Sequence, residues 1–156
     1  MQKSGNTHTP AGLTDILVKE CELKFKIETA AREVFARHGY HVVQPPMFEY
    51  YDVYDAAVTK AENMFKFFDN NGRMLALRPD LTTSVARIAA TKPLGELPYR
   101  IAYSGSAFRN DETFSNDRRR EFSQAGIELI GNGGTDADAE VIEIAIEALL
   151  KFGVKD

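Results

Sequence analysis

The sequence predicts an α+β domain in which helices flank an antiparallel sheet. Three observations lead to this fold class. Two stretches with apolar residues at helical spacing lie near the two ends of the chain, two short strands surround a turn in the first half, and two longer strand-like segments adjoin in the second half. The 156 residues are 44% apolar and 27% charged, a balance typical of one folded domain. We expect residues 1–9 to form a flexible polar tail and residues 10–156 to form the domain.

Composition and charge exclude several classes of protein. The net charge of −4 gives no overall basic field, so we do not expect a nucleic-acid-binding module. Cys21 is the single cysteine, which excludes an internal disulfide and fits a reducing cytoplasm. No apolar run approaches the roughly 18 residues that cross a bilayer, so we expect no membrane contact. The three histidines lack the spacing of a metal site, and no cofactor is predicted.

The first element is a helix over residues 17–37. Gly39 provides its stop, because the position after a helix often needs a positive φ. Charged residues occupy most of the remaining helix surface, as in an amphipathic helix that packs on a sheet. The apolar stripe that predicts its buried face consists of Leu23, Ile27, Ala30 and Val34, widened by Phe35.

Three short strands are predicted next. Residues 40–43 form the first, and Pro45 and Pro46 end it because proline cannot continue a central ladder. Residues 64–68 and 74–77 surround the sequence Asp-Asn-Asn-Gly, a strong turn signal, and are predicted to form a hairpin.

The second half begins with a helix and two longer strands. Asp80 follows a proline and can cap a helix that runs to about Thr91. Residues 99–108 form one strand, residues 110–117 form a polar loop, and residues 119–130 form the returning strand.

The last predicted element is a helix that Thr135 opens and Gly153 ends. Acidic residues in its first turn suit the positive end of the helix dipole. No strand follows it in the 156 residues, so we expect an open sheet edge, which invites pairing with another chain. Its predicted apolar face consists of Val141, Ile144, Ala145, Ala148 and Leu149.

The returning strand carries the most informative polar residues. Arg109 lies at the base of the polar loop and Arg118 on its returning arm, and two guanidinium groups make a fork for a phosphate or carboxylate. By the period of two, Gln124 and Glu128 share one face, and the apolar residues between them share the other. Such a pocket could hold an amino acid, with an acid for its ammonium and Arg109 for its carboxylate. The alternative is a solvated hairpin whose charges only keep an exposed face wet.

Two further arginines leave a choice open. Arg78 and Arg87 flank the predicted cap at Asp80, and each fits either the wall of the pocket or a salt bridge.

Several ordered motifs resemble class II aminoacyl-tRNA synthetases. Phe108-Arg109, followed by Arg118 and Phe122, resembles motif 2, in which the first arginine holds the α-phosphate of ATP. The stretch from Gln124 to Gly131 is similar to the histidyl branch. Further matches are at residues 10–17, which resemble the N-terminal signature of that branch, at residues 39–49, which resemble the motif 1 of the dimer interface, and at residues 77–82, which resemble the segment that contacts histidine.

Two families share this scaffold, histidyl-tRNA synthetase and the regulatory subunit of ATP phosphoribosyltransferase. The second is favoured, because Asp80-Leu81 replaces the Glu-Gly of the synthetase and Asp117 replaces a glycine before the motif 2 arginine. An acid beside a triphosphate site is unfavourable for ATP. The family fold continues into motif 3, which these residues do not contain, so we expect a partial class II core that forms no aminoacyl adenylate.

The resemblance implies a function and a set of site residues. We expect a non-catalytic regulatory subunit that assembles with the short catalytic subunit in the cytoplasm, senses free histidine, and self-associates through the region from Tyr40 to Tyr51. The alternative is an enzyme, the catalytic core of a histidine–tRNA ligase. The implied histidine-binding residues are Asp80, Thr82, Arg109, Gln124 and Glu128, and the implied phosphate-binding residues are Arg109 and Arg118.

Overall fold

Three helices and six strands make up the part of the chain that the computed structural model describes, residues 7–54, 63–110 and 119–154. The predicted α+β architecture is confirmed, and most element bounds differ from the predicted ones by two residues or fewer. In chain order the elements are α1 (Val18–Arg37), β1 (His41–Val42), β2 (Phe48–Tyr50), a single 3-10 turn (Tyr51–Val53), β3 (Lys66–Phe68), β4 (Met74–Leu77), α2 (Thr82–Thr91), β5 (Tyr99–Phe108), β6 (Glu121–Ile130) and α3 (Thr135–Lys151).

The strands form two sheets of three strands each, rather than one antiparallel sheet. The order is β1-β5-β6 in the first sheet and β2-β4-β3 in the second. Strand β1 pairs with β5 in parallel, whereas every other pair in the described residues is antiparallel. A parallel pair needs a long connection that brings the chain back to the end of the sheet where the first strand began. The second sheet and α2 lie between β1 and β5 in the chain and provide this connection.

Helices cover both faces of the first sheet. Helices α1 and α3 pack on one face, and the start of α2 packs on the other. The first core consists of Ala31, Val34, Phe35, Tyr40, Ala102, Ile144 and Ala148. The second core consists of Leu81, Val85, Ile101, Tyr103 and Ala107.

The apolar stripe of α1 is buried only in its C-terminal half, contrary to the prediction. Val34 and Phe35 are buried, whereas Leu23 is 58% exposed and Ile27 is 38% exposed. The reason is that β6 is the last strand of the first sheet in the described residues, and the N-terminal half of α1 faces a cavity beside it. The α3 stripe is likewise partial, with Ile144 and Ala148 buried and Leu149 half exposed.

The predicted hairpin is confirmed as β3–β4. Phe68 pairs with Met74, and Gly72 adopts the positive φ that the turn requires. The Asp69 carboxylate accepts hydrogen bonds from the backbone N–H groups of Asn71 and Arg73, which fixes the turn. Among the residues described, no helix is both long enough and apolar enough to cross a lipid bilayer.

Candidate functional site

The floor of the candidate site is the pair β5–β6, whose register runs from Tyr99 opposite Ile130 to Phe108 opposite Glu121. The Arg109 N–H donates to the carbonyl of Arg120, so the same register extends one residue beyond the strands. Residues directly opposite each other in an antiparallel pair project to the same face, and alternate residues along a strand share that face. The register therefore places Arg109, Gln124 and Glu128 on one face of the sheet. The period of two had predicted this for Gln124 and Glu128.

This face is not wholly polar, in contrast to the predicted division into one polar and one apolar face. Leu81 and Val85 of the α2 region cover its middle, and they pack on Ile101 and Ala107 of β5. The polar residues therefore lie beside the buried start of α2. The sequence pattern could not show this, because it identifies the face of a strand but not the element that packs on it.

The start of α2 forms hydrogen bonds with polar residues of β5 and β6. The backbone N–H of Leu81 donates to the Gln124 side-chain oxygen at 3.1 Å. The Thr82 hydroxyl lies 3.2 Å from the Tyr103 hydroxyl. The Asp80 carboxylate accepts a hydrogen bond of 3.0 Å from the N–H of Thr83, which confirms that Asp80 caps the helix. Two of the predicted site residues, Thr82 and Gln124, are thereby held at one helix end.

Tyr103 connects Thr82 with Glu128 and was not among the predicted site residues. Its hydroxyl donates to the Glu128 carboxylate at 3.1 Å. The side chain is only 5% exposed, and burial raises the pKa of Tyr103 to about 12, so the phenol is protonated at neutral pH. The signal that could have found it is the period of two in β5, which places Tyr103 on the same face as Arg109.

Arg109 lies at the other end of the face. Its guanidinium group is 4.7 Å from the centre of the Phe122 ring, a cation–π contact. Phe122 is diagonal to Arg109 in the register and two residues before Gln124. The Arg109 side chain therefore leans along the sheet toward Gln124 instead of pointing away from it.

We call the five side chains of Arg109, Gln124, Thr82, Tyr103 and Glu128 the polar row. Along β6, the Arg109 guanidinium lies over Phe122, which marks one end of the row. The Glu128 carboxylate contacts the hydroxyl of Tyr103, and Tyr103 lies opposite Gly126, which marks the other end. Four residues of strand separate these positions, or roughly 14 Å. Thr82 and Arg109 are exposed, so the row is open to a ligand.

Arg78 holds the backbone around the site. It is 4% exposed, and its guanidinium group donates to the carbonyls of Pro45 and Ser106 at 2.8 and 2.7 Å, and to that of Pro46 at 3.2 Å. Burial lowers the pKa of Arg78. A side chain at Gly105 would lie 2.7 Å from this guanidinium, so the sheet needs a glycine there. Arg78 is therefore part of the framework.

Arg87 forms the salt bridge that was one of its two predicted roles. Two of its nitrogens contact the Glu49 carboxylate at 2.9 and 2.6 Å, and Glu49 is 7% exposed. This ion pair links α2 to β2. Neither Arg78 nor Arg87 belongs to the polar row.

Arg118, the predicted second phosphate contact, lies outside the described residues, as does Asp117. A cavity of about 570 Å³ lies on the opposite face of the first sheet, between α1 and β6, and is lined in part by Leu23, Ile27 and Ala125. Gln124 of the polar row also lines this cavity, whereas Arg109, Tyr103 and Glu128 are not among its lining residues.

Comparison with known proteins gives a family. The family model described as histidyl-tRNA synthetase matches residues 12–156. Curated relatives named ATP phosphoribosyltransferase regulatory subunit are 45% identical over 149 residues in Thermoanaerobacter pseudethanolicus and 45% identical over 152 residues in Acetivibrio thermocellus. Each alignment covers 96% of this chain, but only 39% and 36% of the respective relative. The chain therefore spans less than half the length of these relatives.

Solved structures agree with this result. A Bacillus halodurans protein described as an ATP phosphoribosyltransferase regulatory subunit/histidyl-tRNA synthetase is 33% identical, with a TM-score of 0.84 over 100% of this chain and 40% of that one. The histidyl-tRNA synthetase of S. aureus is 28% identical, with a TM-score of 0.78 over 95% of this chain and 35% of that one. The resemblance stated from the motifs is thus confirmed over nearly the whole chain. The chain belongs to the histidyl-tRNA synthetase family.

Proposed function

We propose that this chain functions as part of a regulatory subunit of ATP phosphoribosyltransferase in histidine biosynthesis, and that it binds free histidine on the polar row without catalysing a reaction itself. The observation that carries the proposal is the polar row, because it places a cationic group and a carboxylate on one face of the sheet, beside the start of α2. The names of the relatives at 41–45% identity support the regulatory function.

Histidine fits the charges of the polar row. Its carboxylate would pair with Arg109, whose planar guanidinium can donate two parallel hydrogen bonds. The side-chain carbonyl of Gln124 is engaged by Leu81, which fixes the amide beside Arg109. At the other end Glu128 accepts hydrogen bonds from a ligand N–H. Asp80 lies next to Thr82 and adds negative charge, although one of its oxygens already caps α2.

Partners follow from the same proposal. We propose that the full protein assembles with a short catalytic phosphoribosyltransferase subunit in the cytoplasm. In support, the name of the relatives implies a catalytic partner. We also propose self-association through the region from Tyr40 to Tyr51. In support, this region exposes four large apolar side chains, each at least 42% accessible: Val42, Met47, Phe48 and Tyr50.

The enzyme alternative, a histidine–tRNA ligase, is not favoured. The solved synthetase of S. aureus is 28% identical to this chain, below the 41–45% of the regulatory relatives. That likeness is one of fold and family. We also propose that Arg109 and Arg118 contact a phosphate, so that a nucleotide would bind beside them.

Two measurements on the full gene product test the regulatory function. We expect size-exclusion chromatography to show co-elution with the catalytic phosphoribosyltransferase subunit, and we expect added histidine to inhibit the activity of the complex. We expect no histidine-dependent exchange between ATP and pyrophosphate, since Asp80-Leu81 and Asp117 stand where the synthetase motifs carry Glu-Gly and Gly. Robust exchange would overturn the regulatory function and restore the synthetase alternative.

A further inference from the structure

We propose that residues 10–13 form an N-terminal strap that fixes Arg109 at its end of the polar row, with Arg120 as the positioning residue that joins the two. The effect on a ligand rests on the proposed function, because it concerns the carboxylate contact of Arg109. The proposal gives a role to the start of the N-terminal signature, which the polar row leaves without one.

The strap is a tight turn that needs a glycine. The backbone N–H of Leu13 donates to the carbonyl of Pro10 at 3.0 Å, and Gly12 has a φ of +81°, which favours glycine. A side-chain carbon built at Gly12 would also lie 2.8 Å from two carbons of the Arg120 side chain. Any larger residue at this position would therefore strain the turn and displace Arg120.

Arg120 holds the strap through its backbone and through its side chain. Its N–H donates to the Gly12 carbonyl at 2.9 Å, and its guanidinium group donates to the Ala11 carbonyl at 3.3 Å. The same guanidinium group lies 5.8 Å from the centre of the Phe65 ring, a cation–π contact. Because Phe65 directly precedes β3, Arg120 also connects the strap to the second sheet.

The connection from Arg120 to Arg109 runs through the backbone. The Arg109 N–H donates to the Arg120 carbonyl at 2.8 Å. In an antiparallel pair of this type the two residues exchange both hydrogen bonds, so the Arg120 N–H would normally donate to the Arg109 carbonyl. It donates to Gly12 instead. The strap thus ends the ladder at the residue that carries the cationic group of the polar row.

The consequence for a ligand is a stronger contact with a carboxylate. Arg109 is exposed, and its guanidinium group rests on Phe122, two residues after Arg120. A planar guanidinium that is held in one orientation can donate two parallel hydrogen bonds to a carboxylate. Loosening the strap should weaken that contact and leave contacts at the Glu128 end as they are.

Amide hydrogen exchange of the full gene product, followed by nuclear magnetic resonance, tests the strap without any ligand. We expect Gly12→Ala and Arg120→Met each to speed the exchange of the Arg109 N–H about tenfold, because local opening then requires less free energy. The Val43 N–H donates to the Ala102 carbonyl at 2.9 Å in the same sheet, and its exchange should change less than about twofold. Unchanged exchange at Arg109, or equal acceleration at both amides, would overturn the proposal.

Calorimetric titration with L-histidine and with histamine tests the effect on a ligand. Histamine presents the same imidazole and ammonium groups without a carboxylate, and we expect the wild-type protein to prefer histidine. We expect Gly12→Ala and Arg120→Met each to weaken histidine binding about fivefold and to change histamine binding less than about twofold, since a hydrogen bond to a charged group is weakened. Gly12→Ala leaves every core side chain in place, so it serves alone if Arg120→Met does not fold.

Gly153→Ala and Arg73→Met are the matched controls. Gly153 has a φ of +86°, but a side-chain carbon built there meets no atom within 4 Å. The Arg73 guanidinium also contacts an aromatic ring, that of Tyr50 at 4.5 Å, but in the second sheet. We expect both controls to keep the wild-type preference and the wild-type exchange at Arg109. The same changes in the controls as in the strap variants would overturn the role of the strap.

The outcomes separate the two proposals. Absence of histidine binding in the wild-type protein would overturn histidine sensing, and the exchange of the Arg109 N–H would still decide whether the strap holds this residue. Histidine binding with unchanged exchange and unchanged preference in the strap variants would overturn the strap alone. An equal loss for histidine and histamine would overturn the positioning of Arg109.

Discussion

Replacing Arg78 by methionine is expected to lower the free energy of unfolding by about 3 kcal/mol or more. The methionine side chain fills similar space but leaves three carbonyl oxygens without their donor, and each buried unsatisfied group costs about 1–3 kcal/mol. Those carbonyls belong to Pro45, Pro46 and Ser106, so the substitution disconnects the segment before β2 from β5. Urea denaturation followed by circular dichroism measures the loss.

Arg32→Met is the matched control for Arg78. Arg32 lies on the surface of α1, where it forms a 3.7 Å ion pair with Glu28, and its side chain is 50% exposed. Surface ion pairs of this kind contribute little, so we expect a change within about 0.5 kcal/mol. Equal effects of the two substitutions would contradict the assignment of Arg78 to the buried framework.

Truncating either end of the polar row is expected to weaken histidine binding strongly. We expect Arg109→Ala and Glu128→Ala each to cost about 1–3 kcal/mol, or roughly 5- to 150-fold in affinity, because each leaves a charged group of the ligand unpaired. Calorimetric titration of folded variants measures both effects. Asp80→Asn should have a smaller effect than either, because the helix cap can survive with an amide oxygen.

Two residues on the other side of the sheet provide controls for these variants. Arg119 and Glu121 carry the same types of charge, and both line the cavity between α1 and β6. We expect Arg119→Ala and Glu121→Ala to leave histidine affinity unchanged. If Arg109→Ala and Glu128→Ala leave it unchanged as well, the polar row is not the histidine site.

Much of the fold could be predicted from the sequence. Periods and turn residues located the three helices and five of the six strands in the described residues, because those signals are local: Gly72 marks the hairpin turn, and Asp80 marks the start of α2. Strand β2 was not predicted. Contacts between elements that are far apart in the chain could not be predicted in the same way. The parallel pairing of β1 with β5 and the exposure of Leu23 depend on which elements meet in space, which no local pattern encodes.

Only part of the candidate site could be predicted, because the local pattern of a strand does not show which distant residues contact it. The period of two placed Gln124 and Glu128 on one face, and the register agrees. It could not show that Tyr103 lies between Thr82 and Glu128, because that contact joins residues 21 and 25 positions apart. The role of Arg78 was open for a similar reason, since its acceptors come from two distant segments.

The measurement that tests the central claim most directly is a histidine titration of isotope-labelled protein followed by nuclear magnetic resonance. β6 contains its own control, because alternate residues face opposite sides of the sheet. We predict that the signals of Thr82, Glu128 and the Gln124 side-chain amide shift with added histidine. Shifts confined to Ser123, Ala125 and the exposed half of α1, or no shifts at all, would contradict binding on the polar row.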